Sequence, residues 1–568
     1  MAAVLGISAY YHDAAAALVV DGRIVAAQQE ERLSRVKNDP SLPKSAIDAC
    51  LALGGIDPRS LDRIVFYENP YRKLERVLVG SLSAFPRGAR FFRRALRSQL
   101  GEKLWVLDAL SDHCGVHRSK VRFVDHHESH AASALWCAPF EDAVALTVDG
   151  VGEEETTAIW TMEDGRPKRV TSLGHPHSLG LFYAAITAYL GFRVNEGEFK
   201  VMGLAAYGEP RLSKEIAELL RPMEDGAFAL NARAFADHLD VEKAFGAEFV
   251  QRLGPPRDAH REWNLDDPED RRFADVAASA QLALEDAMLG LANHARERSG
   301  ASNLALAGGV ALNCRANARL LAETEFERVF VQPAAGDAGG ALGAALLGAA
   351  DEGDDVADAW RDFVPGLGVA ADASKAMDVA RHLGLRAERV DDAAEACATR
   401  LEEGEIVAWV QGRAEWGPRA LGHRSLLSRA DDITLRDTLN RRIKGREAFR
   451  PFAPMMLDER AAALLEDAPN DMTPAMTTTC RVADADALSG CTHVDGTARA
   501  QTVSEGGAPA GLLSAADKRG LPALLNTSLN AASEPLVAHA TDALDFFVRR
   551  KPDALFVEDV LITRAPDR

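Results

Sequence analysis

Apolar residues in the first 30 positions fall into three short runs that polar turns separate. The runs are residues 3–8, 14–20 and 23–27, with a polar turn at 10–13 and an Asp-Gly turn at 21–22. Runs of this length, one of them entered through a tight Asp-Gly turn, are typical of strands joined as a meander. The sequence therefore predicts an α/β lobe that opens with three antiparallel strands.

Three further apolar runs occur in the middle of the chain, and each ends near glycine or aspartate. They are residues 144–148 before Asp149-Gly150, residues 304–307 before Gly308-Gly309, and residues 329–331, which lead through Pro333 to Gly336-Asp337. Short buried strands that give way to glycine turns predict a second α/β lobe. At Gly308 and Gly309 the lack of a side chain would also let the backbone approach a nucleotide closely.

The composition changes after Gly348, where acidic residues and glycines replace an apolar, alanine-rich pattern. We expect a linker at 353–369, so that a two-lobed domain covers residues 1–352 and a separate α/β domain covers residues 370–568. A length of 568 residues leaves room for about three or four folding units of ordinary size. The sequence shows no internal repeat.

Two histidines lie at the start of a segment, residues 128–136, that is predicted to be helical. His126 and His130 are four positions apart, so they would project from one face, where two imidazoles can share a metal ion. Such a pair alone is more often a polar stripe or a hydrogen-bonded core pair. Asp149 and Asp337 change this interpretation, because each follows a predicted strand. Two histidines and two carboxylates suit Fe(II) or manganese, with zinc as an alternative.

A second cluster of candidate binding residues is cationic and lies in the second half of the chain. Its members are Arg419, Lys444, Arg450 and Arg499, with Asn526 as an amide donor. The formal net charge of the chain is −20. In so acidic a protein, a local concentration of cations among glycines and prolines predicts a site for several phosphate oxygens.

Other charged and glycine-rich stretches of the first half have two interpretations each. Lys37 follows the meander, where its flexible ammonium could reach a phosphate, although its neighbours are equally typical of a solvated loop. Gly180 begins a predicted helix, where free backbone N–H groups attract anions. The acidic run 153–155 is typical of solvated surface. The basic stretch 67–105 is either an exposed helical insertion or a lobe that covers an acceptor substrate.

Charge and cysteine content exclude several classes of protein. A general binder of nucleic acid or of anionic membranes would need a basic excess, which a net charge of −20 does not provide. The seven cysteines are scattered without a Cys-x-x-Cys pair, which indicates a reducing compartment and no zinc ribbon. The first residues lack a basic segment, and apolar stretches elsewhere are interrupted by charge. We therefore expect a cytoplasmic protein without a membrane span.

Nine short motifs occur in the order in which a known enzyme family has them. They are Tyr11-His12-Asp13-Ala14, Glu30-Glu31-Arg32, His126 to His130, Asp149-Gly150, Lys200 to Ala205, Ala307-Gly308-Gly309, Gly417 to Gly422, Arg450 to Pro454, and Asn526-Thr527-Ser528. Through them the chain resembles, over essentially its whole length, the carbamoyltransferases of the nodulation-protein-U and cephalosporin-carbamoyltransferase type. The resemblance implies a two-lobed, actin- and sugar-kinase-like N-terminal domain similar to the tRNA threonylcarbamoyl transferases, and a C-terminal α/β domain similar to the YrdC proteins.

The resemblance also implies a reaction in two steps. Carbamoyl phosphate and ATP with Mg would form carbamoyl adenylate in the C-terminal domain, and an iron-containing N-terminal site would transfer the carbamoyl group to a hydroxyl. The implied metal ligands are His126, His130, Asp149 and Asp337, and His12 would be the general base. The adenylate would be bound by Lys37, Asp149, Gly180, Gly308, Gly309 and Asn313. Carbamoyl phosphate and ATP would be bound by Arg419, Lys444, Arg450, Arg499 and Asn526.

The acceptor is expected to be a hydroxyl of a small molecule, such as a natural product. Tyr10 and Tyr11, before His12, are aromatic rather than acidic, so an aminoglycoside acceptor is not assumed. One alternative is an enzyme of tRNA threonylcarbamoyladenosine type, which would need a basic face for tRNA. Another is a hydrogenase-maturation carbamoyltransferase, which should carry Cys-x-x-Cys fingers. A third is a non-catalytic sensor of iron and nucleotide. A homo-oligomer is compatible with all of them.

Overall fold

The fold is described from a computed structural model over residues 2–83, 101–235, 244–357, 359–360 and 364–564. The predicted meander is confirmed. Its strands are β1 (Ala3–Ser8), β2 (Ala15–Val20) and β3 (Arg23–Gln29), followed in the same sheet by β4 (Arg63–Phe66) and β5 (Val121–Phe123). The strand order is β3-β2-β1-β4-β5, with the first three antiparallel and the last two parallel to β1.

The second lobe repeats this arrangement. Its strands are β6 (Ala143–Val148), β7 (Glu155–Glu163) and β8 (Arg166–Gly174), then a separate hairpin of β9 (Leu220–Pro222) and β10 (Phe228–Leu230), then β11 (Asn303–Ala307) and β12 (Arg328–Val331). The sheet order is β12-β11-β6-β7-β8, again with three antiparallel strands followed by two parallel ones. The predicted two-lobed α/β class is therefore confirmed, and the lobes share one topology.

A third, larger sheet forms the C-terminal α/β part of the chain. Its region contains β13 (Gly366–Ala370), β14 (Arg386–Arg389), β15 (Val407–Val410), β16 (Arg413–Glu415), β17 (Arg424–Arg429), β18 (Ala453–Leu457), β19 (Cys480–Arg481), β20 (Thr497–Ala498), β21 (Gln501–Val503), β22 (Ala523–Ser528), β23 (Ala554–Val557) and β24 (Val560–Thr563). Eight of these form a mixed sheet in the order β14-β24-β23-β15-β17-β22-β18-β21. Strands β13 and β16 pair with each other.

Helices pack on the sheets throughout. In the N-terminal half the described α-helices are Glu30–Ser34, Lys44–Gly54, Pro70–Ser83, Val106–Cys114, His126–Leu135, Leu179–Tyr189, Glu198–Leu204, Ser213–Ala217, Ala247–Leu253, Pro268–Ser299, Cys314–Glu323 and Asp337–Asp351. In the C-terminal half they are Ala373–His382, Ala393–Glu402, Ile433–Thr438, Asp458–Leu464, Gly507–Asp517 and Ala540–Arg550, with a π-helix at Leu439–Lys444. None of the described helices is both long enough and apolar enough to cross a bilayer.

The helix Asp337–Asp351 connects the two lobes. It packs against β1 of the first lobe and against the helix His126–Leu135. Glycine and alanine dominate this helix, which lets backbones approach closely: a Cβ added at Gly343 would overlap the carbonyl oxygen of Ser129. The two helices that carry three of the four predicted metal ligands are therefore in direct contact.

The segment predicted as a linker contains regular structure at its carboxyl end. Strand β13 occupies Gly366–Ala370 and pairs with β16. Oε1 of Gln28, in the first lobe, accepts a hydrogen bond of 3.1 Å from the N–H of Val369. Arg413 donates to the carbonyl of Val25 at 3.0 Å. Glycine composition suggested irregular chain here, but Gly366 and Gly368 allow the close approach of neighbouring strands.

Candidate functional site

The two predicted histidine ligands lie in the first two turns of one helix. That helix begins at His126, two residues earlier than the sequence indicated, with Asp125 at its N-cap, and ends at Leu135. His126 and His130 are both buried on the same face. Asp149 is the first residue after β6, and Asp337 is the first residue of the helix Asp337–Asp351.

One donor atom from each of these four residues lies within 4.8 Å of all the others. Nε2 of His126 is 3.0 Å from Oδ2 of Asp149, and Nε2 of His130 is 3.1 Å from the same oxygen. The corresponding distances to Oδ1 of Asp337 are 3.9 Å and 3.7 Å. The histidines were selected by their spacing and the aspartates by their positions after predicted strands, and the structure brings the four together.

The charges of the cluster are those of a cation site. Burial disfavours a charged His130, but its bonds to Asp149 and Asp337 outweigh burial and raise its pKa to about 9. Burial alone would raise the pKa of Asp149, yet the hydrogen bonds from the two histidines hold it well below its usual range. Two carboxylates thus attract positive charge at the buried ring nitrogens. A divalent metal ion coordinated by two imidazoles and two carboxylates would supply that positive charge.

Neighbouring groups fix the ligands in place. The hydroxyl of Tyr67 donates to Oδ2 of Asp337 at 3.4 Å. The N–H groups of Gly150 and Gly309 donate to Oδ1 of Asp149, at 2.7 Å and 3.2 Å. In metal sites, hydrogen bonds of this kind orient the side chains that bind the ion.

Glu153 also supports the centre, although the sequence suggested that the run 153–155 is solvated surface. That prediction is wrong for Glu153, which is buried. Its carboxylate accepts the N–H of His126, at 3.1 Å and 3.2 Å, and the N–H of Asn69, at 2.6 Å. Burial, chiefly, raises its pKa. It satisfies a free N–H at the start of the helix that carries both histidines.

The glycines predicted to contact a nucleotide pack against the end of β6 and the turn that carries Asp149. Gly308 has φ +93°, and a Cβ there would overlap the carbonyl of Val148. A Cβ at Gly309 would lie 3.1 Å from Oδ1 of Asp149, and one at Gly180 would lie 2.6 Å from the N of Gly150. A side chain at Gly308 or Gly180 would therefore displace the loop that carries Asp149. Their role in adenylate binding stays a prediction.

Lys37 and Asn313 already have partners within the protein. Nζ of Lys37 lies 3.0 Å and 2.9 Å from the two carboxylate oxygens of Glu31. The amide of Asn313 pairs with that of Gln281 through bonds of 2.9 Å and 3.0 Å. Their proposed contacts with an adenylate are additional to these bonds and stay predictions.

His12 lies beside the metal cluster and pairs with its neighbour. Nδ1 of His12 is 3.0 Å from Oδ2 of Asp13, which leaves Nε2 as the other ring nitrogen. Burial disfavours the imidazolium, but Asp13, with Asp337 and Asp149 farther away, raises the pKa of His12 to about 10. Sequence reasoning identified His12 and missed Asp13, which the adjacent position in the chain could have suggested.

The predicted cation cluster exists in the C-terminal half. Arg419, Arg450 and Arg499 are partly exposed and lie close enough to repel one another, and partial burial together with this repulsion lowers the pKa of Arg419 to about 9. Burial, chiefly, also lowers the pKa of Arg446, Arg450 and Arg499. Arg446 was not selected from the sequence, although it lies in the same cationic run. Arginines gathered in this way have the geometry and charge that an anion with several oxygens requires, and their role in binding one stays a prediction.

The side chains of Lys444 and Asn526 are hydrogen-bonded to other groups of the protein rather than facing outward. Nζ of Lys444 donates to oxygens of Ser528 and Asn530 over 2.5–3.2 Å. Asn526 donates to the carbonyl of Ala420 at 3.1 Å and to Gln501 at 2.9 Å. Burial first, and then neighbouring arginines, lower the pKa of Lys444. Asn526 holds the chain beside Arg419 and Lys444 holds the chain after β22, and the contact of either residue with substrate stays a prediction.

The start of the basic stretch 67–105 lies against the helix that carries His126 and the loop after Asp149. Arg72 is 2.7 Å from Oδ2 of Asp125, and Arg76 donates to the carbonyl of Gly152 at 2.8 Å. Gly152 in turn packs on the ring of His126. Residues 84–100 of this stretch lie outside the described residues, so the choice between an insertion and a covering lobe stays open.

Comparison with known proteins gives one consistent result. The family profile described as "Carbamoyltransferase N-terminus" matches residues 3–346, and the profile described as "Carbamoyltransferase C-terminus" matches residues 398–564. An uncharacterised protein of Synechocystis is 38% identical over 99% of this chain and 97% of its own length. Nodulation protein NolNO of Sinorhizobium fredii is 36% identical over 98% of this chain and 79% of its own length. The 3'-hydroxymethylcephem-O-carbamoyltransferase of Amycolatopsis lactamdurans is 30% identical, with 98% of each chain covered.

Proposed function

The chain belongs to the carbamoyltransferase family, and from this premise we propose that it makes carbamoyl adenylate from carbamoyl phosphate and ATP and then transfers the carbamoyl group to a hydroxyl of a small molecule. The observation that carries the proposal is the presence of two separate clusters in one chain. One is a largely buried set of two histidines and two aspartates, and the other is a partly buried set of arginines. Each suits a different half of this chemistry.

The arginine cluster would perform the first half-reaction. Carbamoyl phosphate is multiply charged and its carbon is a poor electrophile, so its phosphate must be neutralised before it is exchanged for AMP. Arg419, Arg450 and Arg499 supply planar groups that can form paired hydrogen bonds to phosphate oxygens. Lys444 and Asn526 would shape the loops around ATP with its Mg. The expected products are carbamoyl adenylate, inorganic phosphate from carbamoyl phosphate and pyrophosphate from ATP, with one water consumed.

The metal centre would serve the second half-reaction. His126, His130, Asp149 and Asp337 would hold the ion, and we propose Fe(II), with manganese or zinc as alternatives. When bound there, the ion would supply Lewis-acid polarisation of a carbonyl or phosphoryl oxygen. Lys37, Gly180, Gly308, Gly309 and Asn313 line the surrounding loops and would bind the adenylate.

His12 would remove the proton from the acceptor hydroxyl. Asp13 holds Nδ1, which fixes the ring and leaves Nε2 as the atom that accepts the proton. The imidazolium that forms is stabilised by Asp13, as the raised pKa of His12 shows. A base of this kind contributes about 10²–10⁴-fold to the rate of proton transfer.

Two competing functions have specific requirements that the chain can be tested for. A tRNA-modifying enzyme would need a basic surface, whereas this chain has a net charge of −20. A sensor of iron and nucleotide would bind both without turnover. The relative from Amycolatopsis is named for O-carbamoylation of a hydroxymethyl group, and this supports a small-molecule hydroxyl as acceptor.

The test is incubation of the purified protein with carbamoyl phosphate and Mg-ATP while pyrophosphate is measured. We expect release that depends on carbamoyl phosphate. If carbamoyl phosphate does not cause release of pyrophosphate, the two-step function is wrong, and a sensor of iron and nucleotide becomes the better proposal. Binding of tRNA at physiological salt would instead favour the tRNA-modifying function.

A further inference from the structure

A lysine of the two-lobed half lies against the arginine cluster of the C-terminal half. Lys200 belongs to the seven-residue helix Glu198–Leu204, and its Nζ lies 2.7 Å from Oε1 of Glu447. Glu447 is in the same short segment as Arg446 and Arg450. The helix therefore adds a positive charge to a site whose arginines all come from the other half of the chain.

Glu447 is a carboxylate inside a site built to bind anions. It favours the charged form of both Arg446 and Arg450. Its Oε2 is 3.6 Å from Nη1 of Arg450, which is longer than the roughly 2.7–2.9 Å of a close charge-assisted bond. The same oxygen is buried and has no hydrogen-bond partner among the described residues. Glu447 is thus bonded to Lys200 and only loosely associated with Arg450.

An ionised carboxylate at this place would compete with a phosphate for Arg450. Burial alone would raise the pKa of Glu447, but the bond from Lys200 outweighs it and lowers the pKa, so the group stays charged. Lys200 balances that charge. The guanidinium of Arg450 meanwhile lies 4.6 Å above the ring of Phe199, the residue before Lys200. Stacking of this kind orients an arginine while leaving its N–H groups available.

We infer that Lys200 is a positioning residue of the carbamoyl phosphate site, because its bond to Glu447 keeps that carboxylate from neutralising Arg450. The inference rests on the proposed function in taking carbamoyl phosphate as the anion at the cluster. Lys200 acts through Glu447 and is not assigned a contact with the substrate. Its loss would leave Glu447 with Arg450 as its nearest cation.

The test uses four variants of the full chain in the pyrophosphate assay. Lys200→Met removes the charge and keeps the length of the side chain, and Lys200→Arg is the conservative variant. The double variant Lys200→Met, Glu447→Gln also removes the competing carboxylate. Lys214→Met, on the exposed face of a short helix away from both clusters, is the matched control. Binding of carbamoyl phosphate alone is measured in parallel by calorimetry.

We expect Lys200→Met to raise the KM for carbamoyl phosphate by about tenfold or more with little change in kcat, and to weaken its binding by the same factor. Lys200→Arg and Lys214→Met should stay close to the wild type, and the double variant should recover most of the loss. A direct contact between Lys200 and the substrate would leave the double variant as weak as the single one, which overturns the inference. So would a Lys200→Met protein with wild-type KM and affinity.

Failure of the proposed function has a different signature. If the wild type binds carbamoyl phosphate but releases no pyrophosphate, the two-step reaction is wrong, and weaker binding by Lys200→Met with recovery in the double variant still supports the inference. If the wild type does not bind carbamoyl phosphate at all, both are overturned.

Discussion

The four metal-ligand candidates differ in how strongly the protein constrains them, and His130 is the most enclosed, with a fully buried side chain. We predict that the purified protein binds about one Fe(II)-like ion per chain and that His130→Ala or Asp337→Ala loses it. Removing one donor of four leaves an incomplete site and an unbalanced buried charge. Elemental analysis after anaerobic reconstitution measures this.

A neighbouring histidine provides the control for that experiment. His127 faces the hydroxyl of Thr147, at 2.8 Å, and the carbonyl of Glu155, at 3.0 Å, rather than the cluster. His127→Gln should therefore keep the metal. Full occupancy in a double variant lacking His126 and His130 would contradict the assignment of the ligands.

His12 gives a prediction about pH. A general base acts in its neutral form, and the pKa of His12 is raised to about 10, so transfer from supplied carbamoyl adenylate should quicken as the pH rises from about 6 to 9. Asp13→Asn removes the main group that stabilises the imidazolium. The pKa of His12 then falls, and the rising limb of the profile moves to lower pH. Single-turnover rates across this range measure the shift.

The role of His12 is separable from adenylate formation. His12→Ala should leave pyrophosphate release intact and slow transfer by about 10²–10⁴-fold. Equal damage to both steps would contradict a role confined to the acceptor hydroxyl, and a pH profile unchanged by Asp13→Asn would contradict its pairing with the base.

The sequence pattern selected the four residues of the His/Asp cluster but not their surroundings. His126 and His130 are identified by their separation in a helix, and Asp149 and Asp337 by their positions after strands. Asp13, Glu153 and Tyr67 have no such pattern. Glu153 is the clearest case, because an acidic run is normally solvated, and only the tertiary fold shows that its carboxylate is buried against the N–H of His126.

At the scale of secondary structure, contact between two helices sets the geometry of the His/Asp cluster. Gly343 in the helix Asp337–Asp351 lies on the carbonyl of Ser129 in the helix His126–Leu135. We predict that Gly343→Ala moves the helices apart, weakens metal binding and destabilises the fold by about 1–3 kcal/mol, the usual cost of overpacking. Thermal unfolding and metal titration of the variant measure both effects.

A second glycine-to-alanine change serves as the matched control. Gly511 lies in the helix Gly507–Asp517, and a Cβ there would meet nothing within 4 Å. Gly511→Ala should raise stability by roughly 0.5–1 kcal/mol, because alanine is the better helix former. Equal behaviour of the two variants would show that the contact at Gly343 does not constrain the metal helices.

The strands were predictable from the sequence, while their arrangement was not. The meander β1–β3 follows directly from three apolar runs and an Asp-Gly turn. The shared topology of the two lobes is invisible in the sequence, because it is strand order that repeats rather than residues. The predicted linker contains β13 because pairing with β16 and contact with Gln28 override a composition that favours loop. The domain limits themselves stay predictions.

For the whole molecule, the relation between the two clusters matters more than either cluster alone. One short helix, Glu198–Leu204, approaches both: the charge of His12 acts on the carboxyl group of Glu198, and Lys200 binds Glu447 beside Arg450. On the other side of the same boundary, Arg499 of the C-terminal half lies near Cys314 of the two-lobed half. The sequence predicted two sites but could not show that they face a common boundary, because the residues that meet there are up to 247 positions apart.

The last prediction concerns which half-reaction each of the two clusters performs. Arg450→Ala should abolish the first half-reaction, because a multiply charged phosphate loses a charge-assisted partner worth roughly 1.5–3 kcal/mol per hydrogen bond. The metal centre lies outside this change, so chemically prepared carbamoyl adenylate should restore part of the acceptor carbamoylation. Asp149→Ala should behave in the opposite way, releasing pyrophosphate while failing to use supplied adenylate.

The two variants act as controls for each other, since a general loss of folding would impair both assays in both proteins. If each variant loses a different one of the two assays, the chain must therefore contain two sites with separate functions. Normal adenylate formation by Arg450→Ala would remove the arginine cluster from the first step. Wild-type transfer of supplied adenylate by Asp149→Ala would remove the metal centre from the second, and either result would leave one site to perform both reactions.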